Sequence, residues 1–230
     1  SIAYHLQKGG WNDIVLIERD ELTSGTTWHA AGLIPLFNMS YATSHIHDYS
    51  IKFYKKLEKE LNTDIGFKVV GNLRMAQTQD RMDEFMLYSS TADTVNIPYE
   101  WKNPKQIKDR WPLVYSEDLK GAIYHPTDGY INPADLTQAI AKSARSNDVK
   151  IERKTQADSF YWDGNSWHVQ CSKMFEKGGN LLVSKEKVTY IAEHVVTATG
   201  NHVQNTSKLI NTKIAAIPCL LYTSDAADEE

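Results

Sequence analysis

Two adjacent runs carry the side chains best suited to chemistry: Thr23-Ser24-Gly25-Thr26-Thr27 and Trp28-His29-Ala30-Ala31-Gly32-Leu33. In the first, small hydroxyl residues around a glycine let backbone N–H groups come close to a pyrophosphate. In the second, two alanines and a glycine follow an aromatic ring and an imidazole. That leaves room for something flat and bulky against the backbone. Taken singly, the runs also read as a polar surface loop and an ordinary loop histidine. Glu18 is the third candidate, because it closes the apolar run Ile14-Val15-Leu16-Ile17. A carboxylate at the end of the second strand of a dinucleotide fold accepts hydrogen bonds from ribose hydroxyls. An acid at a strand end is equally common on plain surfaces.

The elements around these residues suit that reading. Ile2 to Gly9 predicts the later part of a helix, ended by Gly9-Gly10. The run 14–17 predicts a strand buried on both faces of a parallel sheet. Helix, glycine turn, strand and acid make the later part of a βαβ unit, and the usual GxGxxG would lie before Ser1. Apolar spacing predicts helices over 44–61 and 80–94, a strand over 67–78, and a short helix from Asn103-Pro104 to Pro112. A turn at Pro126-Thr127-Asp128-Gly129 precedes a helix over 133–146, with Asn132 as its cap. Val149–Ile151 predicts a strand. Turns at Asp163-Gly164-Asn165 and Lys177-Gly178-Gly179-Asn180 predict an antiparallel meander. His194 to Thr197 predicts a second buried strand, ending at Ala198-Thr199-Gly200. The fold class is therefore mixed α/β, a partial Rossmann-like domain with an inserted antiparallel-sheet region.

Composition narrows the function. Of 230 residues 41% are hydrophobic, the formal net charge is -4, and no basic stripe points to nucleic acid. The longest apolar runs are too short to span a bilayer. Cys171 and Cys219 form neither a CxxC pair nor a metal spacing, so a reducing compartment is the default. His45 and His47, two apart on a helix, face different directions, and no metal site is expected. His125, His168, His194 and His202 are scattered and read as ordinary. No Ser/His/Asp set has a nucleophile elbow.

The stretch from Ile14 through Glu18-Arg19-Asp20-Glu21-Leu22 to Leu33 resembles the dimethylglycine and sarcosine dehydrogenase family of FAD-dependent, D-amino-acid-oxidase-like flavoproteins. The resemblance continues through Asp128-Gly129-Tyr130-Ile131-Asn132-Pro133 to Ile217-Pro218. The segment from Ser24 to Leu33 is its most specific part. It implies that a ring nitrogen of His29 is bonded to the 8α-methyl of FAD. It implies Glu18 and Arg19 at the ribose, and Gly25, Thr26, Thr27, Trp28, Ala30, Ala31, Gly32 and Leu33 around the pyrophosphate and flavin. Ala157 would make a backbone contact near the adenine, and Gly200 would lie close to the cofactor. Relatives often read Asn-Ala-Ala-Gly-x-Trp where this chain has Thr197-Ala198-Thr199-Gly200-Asn201-His202. The glycine is kept and the flanking side chains differ.

The resemblance implies hydride transfer to flavin from an N-methyl or N-methylene carbon of a small amine acid. The resulting iminium ion would hydrolyse to formaldehyde and the demethylated amine, or pass its one-carbon unit to tetrahydrofolate on a domain of the full-length protein. The electron acceptor would be an electron-transfer protein or oxygen. The compartment would be cytoplasmic in a bacterium and the mitochondrial matrix in a eukaryote. No catalytic base is identifiable, and Lys52, Arg74 and Arg81 are equal candidates for a carboxylate clamp. The expected division is 1–42 for the first part of the FAD-binding domain, without its first strand and GxGxxG. It continues with 43–132 for the substrate-region insertion and 133–218 for the return to the FAD-binding domain. Residues 219–230 resemble a translated sequencing adapter, and the chain reads as truncated at both ends. The alternatives are an amino-acid oxidase with noncovalent FAD, and a fragment or pseudo-domain without activity.

Overall fold

Helix α1 (Ile2–Lys8) stops at the predicted glycines. Gly9 N donates to His5 O at 2.9 Å and Trp11 N to Leu6 O at 3.0 Å, with Gly10 left-handed at φ 89°. In the computed structural model, which describes residues 1–216, strand β1 (Val15–Ile17) follows, then a 3-10 turn over Thr26–His29 and strand β2 (Leu33–Ile34). Helix α2 (Tyr41–Leu61) is capped by Ser40, whose hydroxyl accepts from Thr43 N, and ends at left-handed Asn62. Strands β3 (Lys68–Val69) and β4 (Asn72–Ala76) lead to helix α3 (Gln79–Thr94) and strand β5 (Glu100–Lys102). Helix α4 (Pro104–Arg110) carries a full capping box between Asn103 and Gln106. Strands β6 (Gly121–His125) and β7 (Gly129–Tyr130) precede helix α5 (Pro133–Arg145). The Asn132 side chain caps α5, accepting from Ala134 N and Asp135 N at 3.0 and 3.2 Å. Strands β8 (Lys150–Glu152), β9 (Thr155–Trp162), β10 (Trp167–Lys177) and β11 (Asn180–Ala192) follow, then a 3-10 turn over Gly200–His202 and helix α6 (Val203–Leu209).

These elements form two compact units. Among the described residues, one comprises Ser1 and Ala30–Ser143, the other Ile2–His29 and residues 144–216. The unit beginning at Ala30 holds two antiparallel sheets, β2-β7-β3 and β4-β6-β5. The single strand expected over 67–78 is two strands in different sheets. The break has a physical cause: Val70 N and Gly71 N both donate to the Asp128 carbonyl, at 3.1 and 2.8 Å. β6 lies between β4 and β5 and is buried at every residue. Helix α4 buries Ile107 against Leu119 and Ala122, with Leu73, Trp111 and Val114 at the rim of that cluster. Helix α3 buries Phe85, Tyr88 and Ala92.

The other unit holds a parallel pair, β1 with β8, in the register Val15↔Lys150, Leu16↔Ile151, Ile17↔Glu152. It also holds the antiparallel meander β11-β10-β9. The meander's first turn is closed by Asp163, whose carboxylate accepts from Asn165 N and Ser166 N at 2.8 Å each. Two expectations are corrected. β1 is half-buried at each of its three residues rather than enclosed on both faces, and among the described residues β8 alone pairs with it. Residues 194–197 do not form a strand. They carry no regular secondary structure and are largely exposed, and no neighbouring strand among the described residues offers them a ladder. The tail from 219 to 230, with Cys219, and the end of the sequence resemblance at Ile217-Pro218 lie outside the described residues. No helix among the described residues is long and apolar enough to cross a membrane.

Candidate functional site

In the unit that contains β1, Glu18 follows the last residue of the strand. Its backbone continues the ladder: Glu18 N donates to Glu152 O at 2.8 Å and Glu18 O accepts from Thr155 N at 2.9 Å. Its carboxylate is oriented by the chain itself, since Oε1 accepts from Asp20 N at 2.8 Å. The loop beyond it is pinned by cations from the β8–β9 connection. Arg153 Nη1 meets Glu21 Oε2, and Lys154 Nζ meets Asp20 Oδ1, both at 2.6 Å. These exposed pairs add little stability, but two fixed charges give the loop one path.

Arg19 Nη1 donates to His202 Nε2 at 3.3 Å. Since guanidinium only donates, His202 accepts here as a neutral imidazole with its proton on Nδ1. This bond draws the 3-10 turn that starts at Gly200 to the end of β1. Ala157 lies on β9, two residues after Thr155 bonds Glu18 O, and is opposite Cys171 on β10. β9 is an edge strand of its sheet. Glu18, Arg19, Ala157 and Gly200 are thus gathered about one strand end. A Cβ built on Gly25 or on Gly200 would meet nothing within 4 Å, so the space over both is open.

The 3-10 turn Thr26–His29 buries none of its residues. Trp28 is 71% exposed. His29 is also exposed, and its imidazole has no hydrogen-bond partner among the described residues. In the unit that begins at Ala30, Ala30 and Ala31 are exposed and Leu33 is 70% exposed. Gly32 has a different job. At φ +73° its added Cβ would lie 2.1 Å from Ile131 O, and its own carbonyl accepts from Ile131 N at 2.8 Å. Protein backbone explains that glycine.

Within the same unit the sequence concealed a buried polar cluster. Asp128 is 1% exposed, and His125 and Tyr88 are fully buried. Asp128 Oδ1 accepts from Leu36 N at 3.1 Å. The Tyr88 hydroxyl lies 3.3 Å from Leu36 O and 2.9 Å from His125 Nε2. A carbonyl can only accept, so satisfying both contacts takes a Tyr88 proton on Leu36 O and an Nε2–H on His125. Phe37 stacks on Tyr88 at 4.1 Å, and the Arg74 guanidinium lies 4.3 Å above the Phe37 ring. Burial lowers the His125 pKa to about 4, with Arg74 pressing the same way. Burial raises Asp128 to about 7, against the pull of Leu36 N and Arg74. Asp128 Oδ2, His125 Nδ1, Thr127 Oγ1 and Arg74 Nε are buried without a hydrogen-bond partner among the described residues. Of the three clamp candidates, only Arg74 joins this cluster. Lys52 pairs with Asp48 and Arg81 with Glu84, both on helix surfaces. His125, read as ordinary from its isolation in sequence, was signalled only by its place at the end of the apolar run Ala122-Ile123-Tyr124.

Mitochondrial dimethylglycine dehydrogenase of Rattus norvegicus is 40% identical over 153 residues, covering 66% of this chain and 18% of that protein. The mitochondrial pyruvate dehydrogenase phosphatase regulatory subunit of Mus musculus is 38% identical over 155 residues, covering 67% of this chain and 18% of that protein. The chain thus spans less than a fifth of the length of these relatives. The crystal structure of L-proline dehydrogenase from P. horikoshii superimposes with a TM-score of 0.77 at 22% identity, over 92% of this chain and 52% of that one. That likeness shows a shared fold. Residues 1–223 match the family described as FAD dependent oxidoreductase, DAO. With more than half of its length matched, the chain belongs to the DAO family of FAD-dependent oxidoreductases.

Proposed function

We propose that the protein containing this chain oxidises the C–N bond of a small N-methylated amino acid, of the dimethylglycine or sarcosine type, and carries its FAD covalently on His29. FAD, when bound, supplies the hydride acceptor. The chain's residues fit that group. The Glu18 carboxylate, with Oε1 already held by Asp20 N, presents an acceptor for ribose hydroxyls. The open space over Gly25 and Gly200 admits a ligand close to the backbone. Arg19 keeps the Gly200 turn at that strand end through His202.

The observation that carries the reading is His29 itself: an exposed imidazole without a hydrogen bond among the described residues, next to a 71% exposed tryptophan, inside a chain of this family. The exposed ring leaves the imidazole beside it open to a flat cofactor. An N-methyl substrate is supported by the 40% identity to dimethylglycine dehydrogenase. The electron acceptor is an electron-transfer protein or oxygen, and tetrahydrofolate would bind elsewhere in the full-length protein.

The test is flavin fluorescence of the full-length protein on a denaturing gel. Wild type should give a fluorescent band, and His29→Ala should release its flavin on denaturation. A band surviving in His29→Ala would overturn the assignment. A second reading is favoured by the 38% identity to a phosphatase regulatory subunit, whose name is not that of an oxidoreductase. On that reading the protein regulates a partner. It predicts no turnover of any N-methyl amino acid by full-length protein supplied with FAD and an artificial electron acceptor.

A further inference from the structure

We propose that Asp128 is a positioning residue for Gly32–Phe37, the stretch of chain that runs on from His29, with Tyr88 and His125 as its buried support. The proposal rests on the reading of His29 as the flavin anchor. Four groups from separate elements converge on this stretch. Asp128 Oδ1 accepts from Leu36 N, and the Tyr88 hydroxyl of α3 donates to Leu36 O, so both backbone polar groups of one buried residue are held by side chains. His125 of β6 holds Tyr88, and Arg74 of β4 covers Phe37. The Asp128 carbonyl also fixes Val70 and Gly71, and β7, which starts just after it, pairs with β2 in the register Leu33↔Tyr130, Ile34↔Gly129. One residue therefore joins β2, β3 and β7 to the chain leaving His29. A loop that bears a reacting group works only when its far end is fixed, because a small misplacement costs rate steeply.

The hold is proton-dependent. Arg74 and Tyr88 act on the Asp128 carboxyl by charge and the Leu36 amide sits on Oδ1, with His125 one step away on the Tyr88 hydroxyl. Only Arg74 favours ionisation by charge, and it makes no ion pair with Asp128. Oδ2 has no hydrogen-bond partner among the described residues. The closed cluster therefore prefers neutral Asp128, and local opening becomes easier as pH rises towards 7.

The experiment uses the full-length protein with Asp128→Ala, Asp128→Asn and Tyr88→Phe. Hydrogen exchange at Leu36, corrected for intrinsic base catalysis, should be about tenfold faster in Asp128→Ala, the loss of roughly one buried hydrogen bond to a neutral carboxyl. Asp128→Asn keeps a carbonyl acceptor and should restore wild-type protection. It should also abolish the loss of protection that wild type shows as pH rises towards 7. Turnover should fall in kcat with Asp128→Ala, with KM changed less than about twofold, and recover in Asp128→Asn. Unchanged Leu36 exchange in Asp128→Ala, or unchanged kcat with a loosened segment, would overturn the proposal. So would an Asn variant that behaves like Ala or keeps the wild-type pH dependence. If Asp128→Ala does not fold, the pH dependence in the Asn variant and faster Leu36 exchange in Tyr88→Phe decide. Covalent flavin in the wild type, read on the denaturing gel, reports separately on His29.

Discussion

Arg19 donates to His202 across 3.3 Å, and so joins the end of β1 to the turn that contains Gly200. The family pattern that the sequence resembles would place tryptophan at His202. The departure from the pattern thus has a role of its own: the imidazole gives Arg19 a partner that an indole, which only donates, could not.

Glu18→Ala should weaken FAD binding about 10- to 100-fold, the worth of a hydrogen bond to a charged group. Arg19→Ala should weaken it less than about fivefold, since an exposed contact of this kind contributes roughly 1 kcal/mol or less. Both are measured by FAD titration in a His29→Ala background, where the cofactor exchanges freely. Equal effects from the two would contradict the assignment of the ribose to Glu18.

Gly32→Ala should destabilise the protein by roughly 2–4 kcal/mol, through backbone strain and the clash with Ile131 O. Chemical denaturation measures it. A neutral substitution would mean that the approach of Gly32 to Ile131 is not tight.

Asp128→Asn should flatten one contribution to the pH dependence of stability. The folded-state pKa is raised from 3.8 to about 7. The contribution is therefore complete below pH 3.8 and is lost as pH rises to about 7, on the order of 4 kcal/mol in all. His125 acts in the opposite sense. With its folded pKa lowered from 6.5 to about 4, its contribution is present above 6.5 and lost as pH falls towards 4. The two slopes oppose each other between pH 4 and 6.5. Denaturation midpoints should show the Asn variant gaining on wild type steadily from pH 4 to 7 and by a constant amount above that.

Tyr88→Phe should cost about 1–3 kcal/mol, since it strands His125 Nε2 and Leu36 O in a buried site. Adding His125→Leu should recover part of that loss, as the stranded nitrogen is removed with its partner. A double variant no more stable than Tyr88→Phe would contradict the shared network.

What the sequence revealed was local. Asn103-Pro104 with Gln106 announces the start of α4 because all parts of a capping box lie within one turn. Asn132 before α5 and Asp163-Gly164 in the meander are legible for the same reason. Residues 194–197 have a strand's apolar composition, but a strand also needs a paired edge, and that depends on distant chain. The cluster at Asp128 escaped notice because Leu36, Arg74, Tyr88 and His125 lie far apart in sequence and meet only through sheet pairing and helix packing. The closeness of Gly32 to Ile131 O is not legible either, because Ile131 lies far along the chain.

Peptide mapping of the full-length protein by mass spectrometry reads the bond at His29 itself. The proteolytic peptide containing Trp28-His29 should carry the flavin's added mass, with fragmentation placing it on the imidazole, and His29→Ala should yield only unmodified peptide. Flavin on any other residue, or an unmodified His29 peptide from a holoenzyme that turns over substrate, would contradict it.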